Sequence, residues 1–438
     1  LSPEAWRLFA IFAATIFAVS CGAASLLLAS ILALVASIFS GTLEPRVAYS
    51  GFSEGFILLI VVAFLVGRGV VNSGLGTRIG LLLVRHFGKS SLGLAYSMIA
   101  TDAVIAPAFP SNTARSGVLF PIVYALAENN DSKPWDESRH RLGAFLMMNS
   151  MAGLALSSAL WLTAMAANPL GVAIATEHGV NIHFGNWLLA SSLPTITAMV
   201  LVPALLYRLM RPGLSQTPDA PRLAAEQLAH TGPMSWQEWV TLAVFGAMVL
   251  GWALGQSLGL DATAVAFAGL AVMLLSGIFT LDDIKRSGDA LETLIWFAIL
   301  FTISSQLDQL GFMRWAGDQL GGWVDGLYWQ LTYVLLVLVY VLIHYLFVSQ
   351  TAHMLALFGV FLGLSQPEVD PTLMAMALLL ATNYFAVITP QGSSSNVIFS
   401  GSGSAPDGRN RLQISTSSPY GTNEPSTSRC QCGCSVSF

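Results

Sequence analysis

The stretch AFPSNTARSGVLFP, residues 108–121, places a polar cluster between two long apolar runs of the chain. Its polar members include Ser111, Asn112, Thr113 and Arg115, and prolines stand on both sides of them. Such a cluster is either an ordinary exposed loop or a polar site built inside a membrane. The rest of the sequence distinguishes between these two interpretations.

The composition of the chain is that of an integral membrane protein. Of its 438 residues, 54% are hydrophobic and only 10% are charged, and the mean hydropathy is +0.67. Soluble domains carry about 25% charged residues. The formal net charge is −5 and the chain has no Lys/Arg-rich arm, so nothing indicates nucleic-acid binding.

Two kinds of apolar segment are present. A spanning helix needs about 20 largely apolar residues, and the uninterrupted candidates are 4–20, 24–40, 54–71, 143–167, 187–208, 237–258, 262–280, 291–309 and 373–388. The segments 92–127 and 327–365 are instead interrupted by polar residues with Pro or Gly nearby. Because backbone that breaks inside a bilayer must be buried or line a wet cavity, each is predicted to be a re-entrant hairpin or two short spans.

The basic residues favour the hairpins. If both interrupted segments are re-entrant, one side of the membrane receives Arg78, Arg85, Lys89, Lys133, Arg139, Arg141, Arg208, Arg211, Arg222, Lys285 and Arg286. The connections on the other side carry only Arg7, Arg46 and Arg314. Basic loops face the cytoplasm, so this topology is the one that the sequence favours.

The two halves of the chain resemble each other weakly. Segment 55–80 aligns with 293–317, and further along Ser111 and Thr113 align with Ser349 and Thr351 of FVSQTAHML. Later still, AMAANPLG (164–171) has a counterpart in ITPQGSSSNVIF (388–399). The helix count places the two copies in opposite orientations, and carriers built from inverted repeats hold substrate near the midplane at broken helices.

These patterns predict an all-α polytopic membrane protein with inverted repeats, two re-entrant hairpins and broken transmembrane helices. The predicted divisions are a first repeat at 1–208, a cytoplasmic linker at 209–236, a second repeat at 237–403 and a polar tail at 404–438. The tail is expected to be disordered or frame-shifted. The second repeat lacks a counterpart of span 187–208, so a terminal helix is expected to be absent.

The polar tips offer chemistry suited to anions. Ser, Asn and Thr supply hydroxyl and amide donors, and the free N–H groups of a helix N-terminus favour negative charge. Two such tips facing each other would clamp the two carboxylates of one small molecule, and their oxygens are also possible ligands for Na⁺. The plainer alternative is that Ser111 or Asn112 only caps the helix that follows.

Three ionisable side chains lie beside the tips. Arg115 inside a membrane segment costs roughly 2.5–3.5 kcal/mol on insertion scales, so it is expected either to balance substrate charge or to pair with Asp102. His344 and His353 flank the second patch and are candidates for charge compensation or pH sensing. Alternatively, they form helix–helix hydrogen bonds. Arg115→Ala and Asn112→Ala are both expected to abolish transport and to leave folding largely intact.

The sequence gives little indication of an enzyme. The chain contains no H-E-x-x-H, G-x-S-x-G or P-loop motif. A carrier is therefore the favoured class, with no catalytic residues and no cofactor other than Na⁺. An anion channel or a membrane-embedded enzyme is the alternative.

Three motifs resemble those of the divalent anion/sodium symporter (DASS) family, and most closely its exchanger branch. They are SNTARSGVLFPI (111–122), HYLFVSQTAHMLALF (344–358) and TPQGSSSNVIFSGSG (389–403). The resemblance implies an elevator-type homodimer in the lipid bilayer, in a bacterial inner membrane or alternatively a plastid inner envelope. It also implies that a further helix precedes the present start.

The same resemblance assigns the site. Substrate carboxylates are expected to contact Ser111, Asn112, Thr113, Ser349, Gln350 and Thr351. The broken helices are expected to complete the site through Asn168, Pro169, Thr389, Pro390, Ser395 and Asn396, with Na⁺ near Asn112 and Asn396 as an alternative. Substrates of the succinate, malate, 2-oxoglutarate, citrate or tartrate class are implied.

One departure from the family pattern decides between two mechanisms. The second motif is usually S-N-T in sodium-coupled members, whereas here Gln350 stands in the middle position. Glutamine is longer by one methylene and would misplace a carbonyl in a tight cation cage. With Arg115 and the two histidines nearby, sodium-independent exchange is therefore favoured over Na⁺-coupled symport.

Overall fold

The computed structural model describes residues 1–321, 327–347, 349–364, 369–389 and 392–402. The tail predicted at 404–438 and Pro390 lie outside these described residues. The helices of the first half are α1 (Pro3–Ser20), α2 (Leu26–Phe39), α3 (Pro45–Ala48), α4 (Gly55–Ser73), α5 (Leu75–Phe87), α6 (Ser91–Ile105), α7 (Asn112–Glu128), α8 (Gly143–Leu160), α9 (Ala167–Glu177) and α10 (Phe184–Met210).

The second half begins with a short helix and then repeats the same kind of arrangement. Its helices are α11 (Asp219–Thr231), α12 (Trp236–Leu258), α13 (Ala262–Leu275), α14 (Leu281–Lys285), α15 (Gly288–Gln309), α16 (Phe312–Gly321), α17 (Trp329–Ile343), α18 (Gln350–Gly363), α19 (Pro371–Tyr384) and α20 (Ser394–Ser400). The linker predicted at 209–236 therefore contains a helix, α11, which packs on α5.

Eight helices in the described part of the chain are long and apolar enough to cross a membrane. With 3₁₀ turns included where they extend a helix, they are Pro3–Ser20, Gly55–Ser73, Ser91–Ala108, Gly143–Leu160, Phe184–Met210, Trp236–Leu258, Gly288–Gln309 and Trp329–Leu346. The prediction of an all-α, polytopic membrane protein is confirmed.

Three predicted spans are wrong in length. The helices found within 24–40 and 262–280 have only 14 residues each, because local signals end them. Ser25 and Asp261 cap their first turns, and glycines with positive φ, Gly41 and Gly277, follow their last turns. The span predicted at 143–167 ends at Leu160, where the backbone becomes extended before a short 3₁₀ turn.

Both interrupted segments fold in the same local way. A 3₁₀ turn, Ala106–Ala108 or His344–Leu346, ends the first helix, and a serine then begins the second. Ser111 Oγ accepts a hydrogen bond from the N–H of Ala114 at 3.2 Å, and Ser349 Oγ accepts the equivalent bond at 3.3 Å. The caps are thus confirmed, and the re-entrant course across a bilayer stays a prediction.

The broken helices also correspond in their hydrogen bonds. The amide nitrogens of Asn168 and Asn396 each donate to two backbone carbonyls, one ten and one seven residues earlier in the chain. The acceptors are Ser158 and Trp161, at 2.9 and 3.2 Å, for Asn168, and Ala386 and Thr389, at 2.5 and 3.1 Å, for Asn396. Each amide satisfies two carbonyls that lose their helical partners at the break, and it thereby stabilises the broken helix. The shared spacing supports the predicted repeat.

The two halves of the chain interlock around a central helix. α8 is buried along almost its whole length and is surrounded by α6, α7, α10, α19 and α20. In addition, α20 packs on α7 and α18 packs on α9, so each tip helix meets the broken helix of the other copy. Gly171 permits the second contact, because a Cβ there would lie 2.3 Å from Leu379 Cδ2 and 2.7 Å from Met354 Sδ.

Candidate functional site

The first tip is formed by the start of α7 and touches the second copy directly. Ser111 caps the helix, Asn112 is 7% exposed and Thr113 is exposed. The hydroxyl of Thr113 lies 2.8 Å from that of Ser394, at the beginning of α20. The sequence-predicted SNT residues therefore meet the second broken helix.

Arg115 lies in a closed polar cluster beneath this tip. Its guanidinium is fully buried and forms an ion pair with Asp102 at 2.8 Å. It also donates to Ser157 Oγ and Ser158 Oγ at 2.5 Å, to Asn112 Oδ1 at 2.6 Å and to the Leu154 carbonyl at 3.1 Å. Of the two roles expected from the sequence, pairing with Asp102 is the one this arrangement shows. If Arg115 also balances substrate charge, it must act through the residues that cover it, because the guanidinium itself is buried.

The cluster fixes the orientation of the Asn112 amide. Arg115 has only donors, so the Asn112 atom that faces it is the oxygen, and Ser158 donates to the same oxygen at 2.6 Å. The amide nitrogen is thereby turned the other way, where its only hydrogen-bond contact in the described residues is Met165 Sδ at 3.9 Å. A thioether is a weak acceptor. Asn112 thus offers N–H donors, which suit a carboxylate.

The second tip carries an amide with the opposite orientation. Gln350 is 7% exposed, and its Nε2 donates to the backbone carbonyl of Thr382 at 2.8 Å. A carbonyl accepts only, so the Gln350 atom facing it is the nitrogen. The oxygen Oε1 points away and accepts no hydrogen bond from any residue that the structure describes. Thr351 beside it is partly exposed.

The two histidines form an aromatic cluster where the first copy has its ion pair. His353 follows Ser349 at the same spacing at which Arg115 follows Ser111, and Tyr340 matches Asp102 in the same way. The His353 ring lies 4.3 Å from the Tyr340 ring, 5.0 Å from Phe385 and 5.3 Å from His344. All four side chains are buried. The second copy thus replaces charge with aromatic packing.

The ring nitrogens of this aromatic cluster are only partly satisfied. His344 Nε2 lies 2.9 Å from the Gly392 carbonyl and must donate to it, since a carbonyl only accepts. Its Nδ1 and both nitrogens of His353 have no hydrogen-bond partner within the described ranges. Three ring nitrogens of the two histidines therefore lack a hydrogen-bond partner among the described residues, at the place that corresponds to Arg115.

A continuous polar chain joins the two tip amides across the copies. Ser158 donates to Asn112, and its carbonyl accepts from Asn168 at 2.9 Å. Asn168 Oδ1 in turn accepts from Asn383 Nδ2 at 2.9 Å. Asn383 follows Thr382, whose carbonyl holds Gln350. Asn383 was not predicted from the sequence, although an asparagine in the apolar run 373–388 is a signal of a polar site.

The other predicted residues of the broken helices lie near the same place. Pro169 is buried in the first turn of α9, the Ser395 hydroxyl lies 2.9 Å from that of Ser393, and the Thr389 carbonyl is bound by Asn396. Pro390 lies outside the described residues. The structure thus brings the first tip helix to α20 and the second tip helix to α9.

Several oxygens near the two positions expected for Na⁺ have hydrogen-bond donors close by. Hard cations take oxygen ligands, but the amide oxygen of Asn112 already faces the guanidinium of Arg115. Near Asn396, the carbonyls of Ala386 and Thr389 accept from its amide nitrogen. Each of these three oxygens thus already accepts a hydrogen bond in this structure.

Comparisons with known proteins identify the family of the chain. Residues 1–409 match the family described as the sodium:sulfate symporter transmembrane region. The chain is 38% identical over 409 residues to dicarboxylate transporter 2, chloroplastic, of Spinacia oleracea, covering 92% of this chain and 72% of that protein. It is 37% identical over 411 residues to dicarboxylate transporter 1, chloroplastic, of Arabidopsis thaliana, covering 93% and 74%.

A bacterial relative is also similar. The chain is 34% identical over 365 residues to the L-tartrate/succinate antiporter of Shigella sonnei (strain Ss046), covering 82% of this chain and 74% of that protein. The family and these relatives are transporters, which confirms the expectation of a carrier and not an enzyme. The chain therefore belongs to the sodium:sulfate symporter family, the DASS family that its motifs resemble, and is a multi-pass membrane transporter.

Proposed function

We propose that this transporter exchanges small di- or tricarboxylates across the membrane without Na⁺. The observation that carries the proposal is the orientation of Asn112, whose amide oxygen is held by Arg115 and whose N–H groups are left for an anion. A carboxylate needs donors, whereas Na⁺ needs oxygens. The first tip is therefore built for the anion and not for the cation.

The proposed site lies between the two tips. One carboxylate binds Asn112 together with the free N–H groups at the start of α7, and the other binds Thr351 and the start of α18. Compensation of substrate charge by His344 and His353 is part of the proposal, whereas Arg115, whose charge is paired with Asp102, acts through the Asn112 amide that it orients. A two-ended substrate is favoured because the same capped tip occurs twice.

The architecture that accompanies this function is part of the proposal. Residues 1–208 and 237–403 form inverted repeats with re-entrant hairpins at 92–127 and 327–365, and the protein works as an elevator-type homodimer by alternating access. The interlocked packing of α7 with α20 and of α9 with α18 supports a unit in which both tips move together. The named relatives are dicarboxylate transporters and a tartrate/succinate antiporter, which supports the substrate class.

Na⁺-coupled symport is the second candidate, favoured by the name of the family. The contact between Asn112 Oδ1 and the Arg115 guanidinium weighs against it, since a cation held at that oxygen would lie against a fixed positive charge. A channel is the non-carrier alternative. It predicts current without any dependence on substrate on the far side.

An inhibition panel tests the substrate class. Uptake of labelled succinate is measured in proteoliposomes loaded with unlabelled succinate, with an excess of each competitor outside. Malate, 2-oxoglutarate, tartrate and citrate are expected to inhibit, whereas acetate, lactate and sulfate engage one tip only. Because a hydrogen bond to a charged group contributes about 1.5–3 kcal/mol, the single-tip anions should inhibit about 10- to 100-fold more weakly. Sulfate that inhibits as strongly as succinate would contradict the two-tip site.

A further inference from the structure

The two tip amides leave opposite hydrogen-bonding groups available for a substrate. The amide nitrogen of Asn112 points away from Arg115, because the amide oxygen is held by Arg115 and Ser158. The amide oxygen of Gln350 points away from Thr382, because the amide nitrogen is held by the Thr382 carbonyl. The two tips therefore have the same serine cap but present different hydrogen-bonding groups to a substrate.

Neither amide is free to rotate by half a turn. A rotated Gln350 would set its oxygen against the Thr382 carbonyl and leave both acceptors without a donor. A rotated Asn112 would set its NH₂ group against the guanidinium of Arg115. An unsatisfied buried polar group costs about 1–3 kcal/mol, and more beside a charge. The surrounding residues thus determine which atom each amide presents.

An outward oxygen on Gln350 is the wrong partner for a carboxylate. Both groups only accept hydrogen bonds, since a substrate carboxyl with a pKa of about 4 is ionised at neutral pH. The carboxylate at this tip must then be held by the hydroxyl of Thr351 and the N–H groups at the start of α18. The Gln350 oxygen remains for a donor elsewhere on the substrate.

We infer that Gln350 is a specificity-determining residue that accepts a hydrogen bond from a hydroxyl group of the substrate. The preferred substrates are then hydroxydicarboxylates, in which a hydroxyl lies on the carbon next to a carboxylate, over the plain diacid. This inference rests on the proposed function, because it needs a diacid bound between the tips. A 2-oxo diacid carries only an acceptor at that carbon and gains nothing from Gln350.

A series of substrate analogues tests the inference without any mutation. Inhibition of labelled succinate uptake is compared for malate, 2-methoxysuccinate and succinate in loaded proteoliposomes at neutral pH. The methoxy group keeps the oxygen of malate but has no proton to donate. Malate is expected to inhibit about tenfold better than either other compound, which corresponds to ~1.4 kcal/mol. Equal inhibition by malate and 2-methoxysuccinate would overturn the inference.

A matched pair of variants locates the effect at Gln350. Gln350→Met keeps the length of the side chain and removes the acceptor, so the malate preference should fall about tenfold while succinate uptake persists. Tyr340→Phe removes a neighbouring hydroxyl that bonds to Thr382 Oγ1 at 2.9 Å, without touching the Gln350–carbonyl bond. It should keep the preference. A preference that survives Gln350→Met would overturn the inference.

The outcomes separate this inference from the function on which it rests. Succinate exchange without any malate preference leaves the proposed function standing and removes the role of Gln350. Absence of diacid transport by the unaltered chain removes both. If the malate preference requires Na⁺, the Gln350 oxygen is a cation ligand and the inference fails. If Gln350→Met does not fold, as judged by size-exclusion chromatography, the analogue series decides alone.

Discussion

Replacing Arg115 with methionine is expected to destabilise the protein by about 3–5 kcal/mol. The reason is that the change leaves the Asp102 carboxylate buried without its cation, since Asp102 is 1% exposed and pairs with Arg115 at 2.8 Å. Ser157 alone would remain as a donor to Asp102. Thermal unfolding of the purified protein in detergent measures the loss.

A double variant isolates the cause. Asp102→Leu combined with Arg115→Met removes both charges, and breaking a buried pair costs more than replacing it whole. The double variant is therefore expected to be more stable than Arg115→Met alone, with a coupling of several kcal/mol in the double-mutant cycle. If the losses of stability in the two single variants simply add in the double variant, the Asp102–Arg115 ion pair does not stabilise the tip. The structure thus reverses the sequence-based expectation that Arg115→Ala leaves folding largely intact.

Replacing Asn112 with aspartate is expected to reduce exchange about 100-fold while the protein remains folded. The carboxylate keeps an oxygen for Arg115 and Ser158, but an acceptor replaces the N–H donors that face the substrate. Losing a charge-assisted hydrogen bond of ~1.5–3 kcal/mol, with like-charge repulsion added, accounts for a loss of this size. Initial rates of counterflow in proteoliposomes give the measurement.

The matched control for this variant lies just beyond the other end of the same helix. Asn130→Asp adds the same charge just past the other end of α7, where the Asn130 side chain donates to the Leu126 carbonyl at 2.8 Å. It should leave exchange close to the unaltered rate. The site assignment fails if Asn112→Asp transports normally, or if Asn130→Asp loses as much activity.

Much of the fold follows from local rules that the sequence carries directly. Serine before a helix and Pro or Gly at a break predicted the interrupted segments, and Ser111 and Ser349 cap as expected. Helix lengths in 24–40 and 262–280 were predicted less well. Hydropathy continues past the bounds of a helix, whereas the N-caps Ser25 and Asp261 begin these helices and Gly41 and Gly277, with positive φ, follow their ends.

The orientation of the site could not be predicted from the sequence, because partners distant in the chain determine it. Gln350 is held by Thr382 and Asn112 by Ser158, and neither contact follows from spacing. The extra methylene of Gln350 was expected to misplace a carbonyl. In the structure, the longer side chain instead carries its nitrogen to the Thr382 carbonyl and leaves its oxygen free.

The most direct test of sodium-independent exchange is the dependence of uptake on internal load in a medium free of Na⁺. Labelled malate is added outside proteoliposomes that are either empty or filled with unlabelled malate, with choline as the only external cation. The account predicts rapid uptake into loaded vesicles, little into empty ones, and no change when Na⁺ replaces choline. Uptake that requires external Na⁺ and proceeds equally into empty vesicles would contradict it.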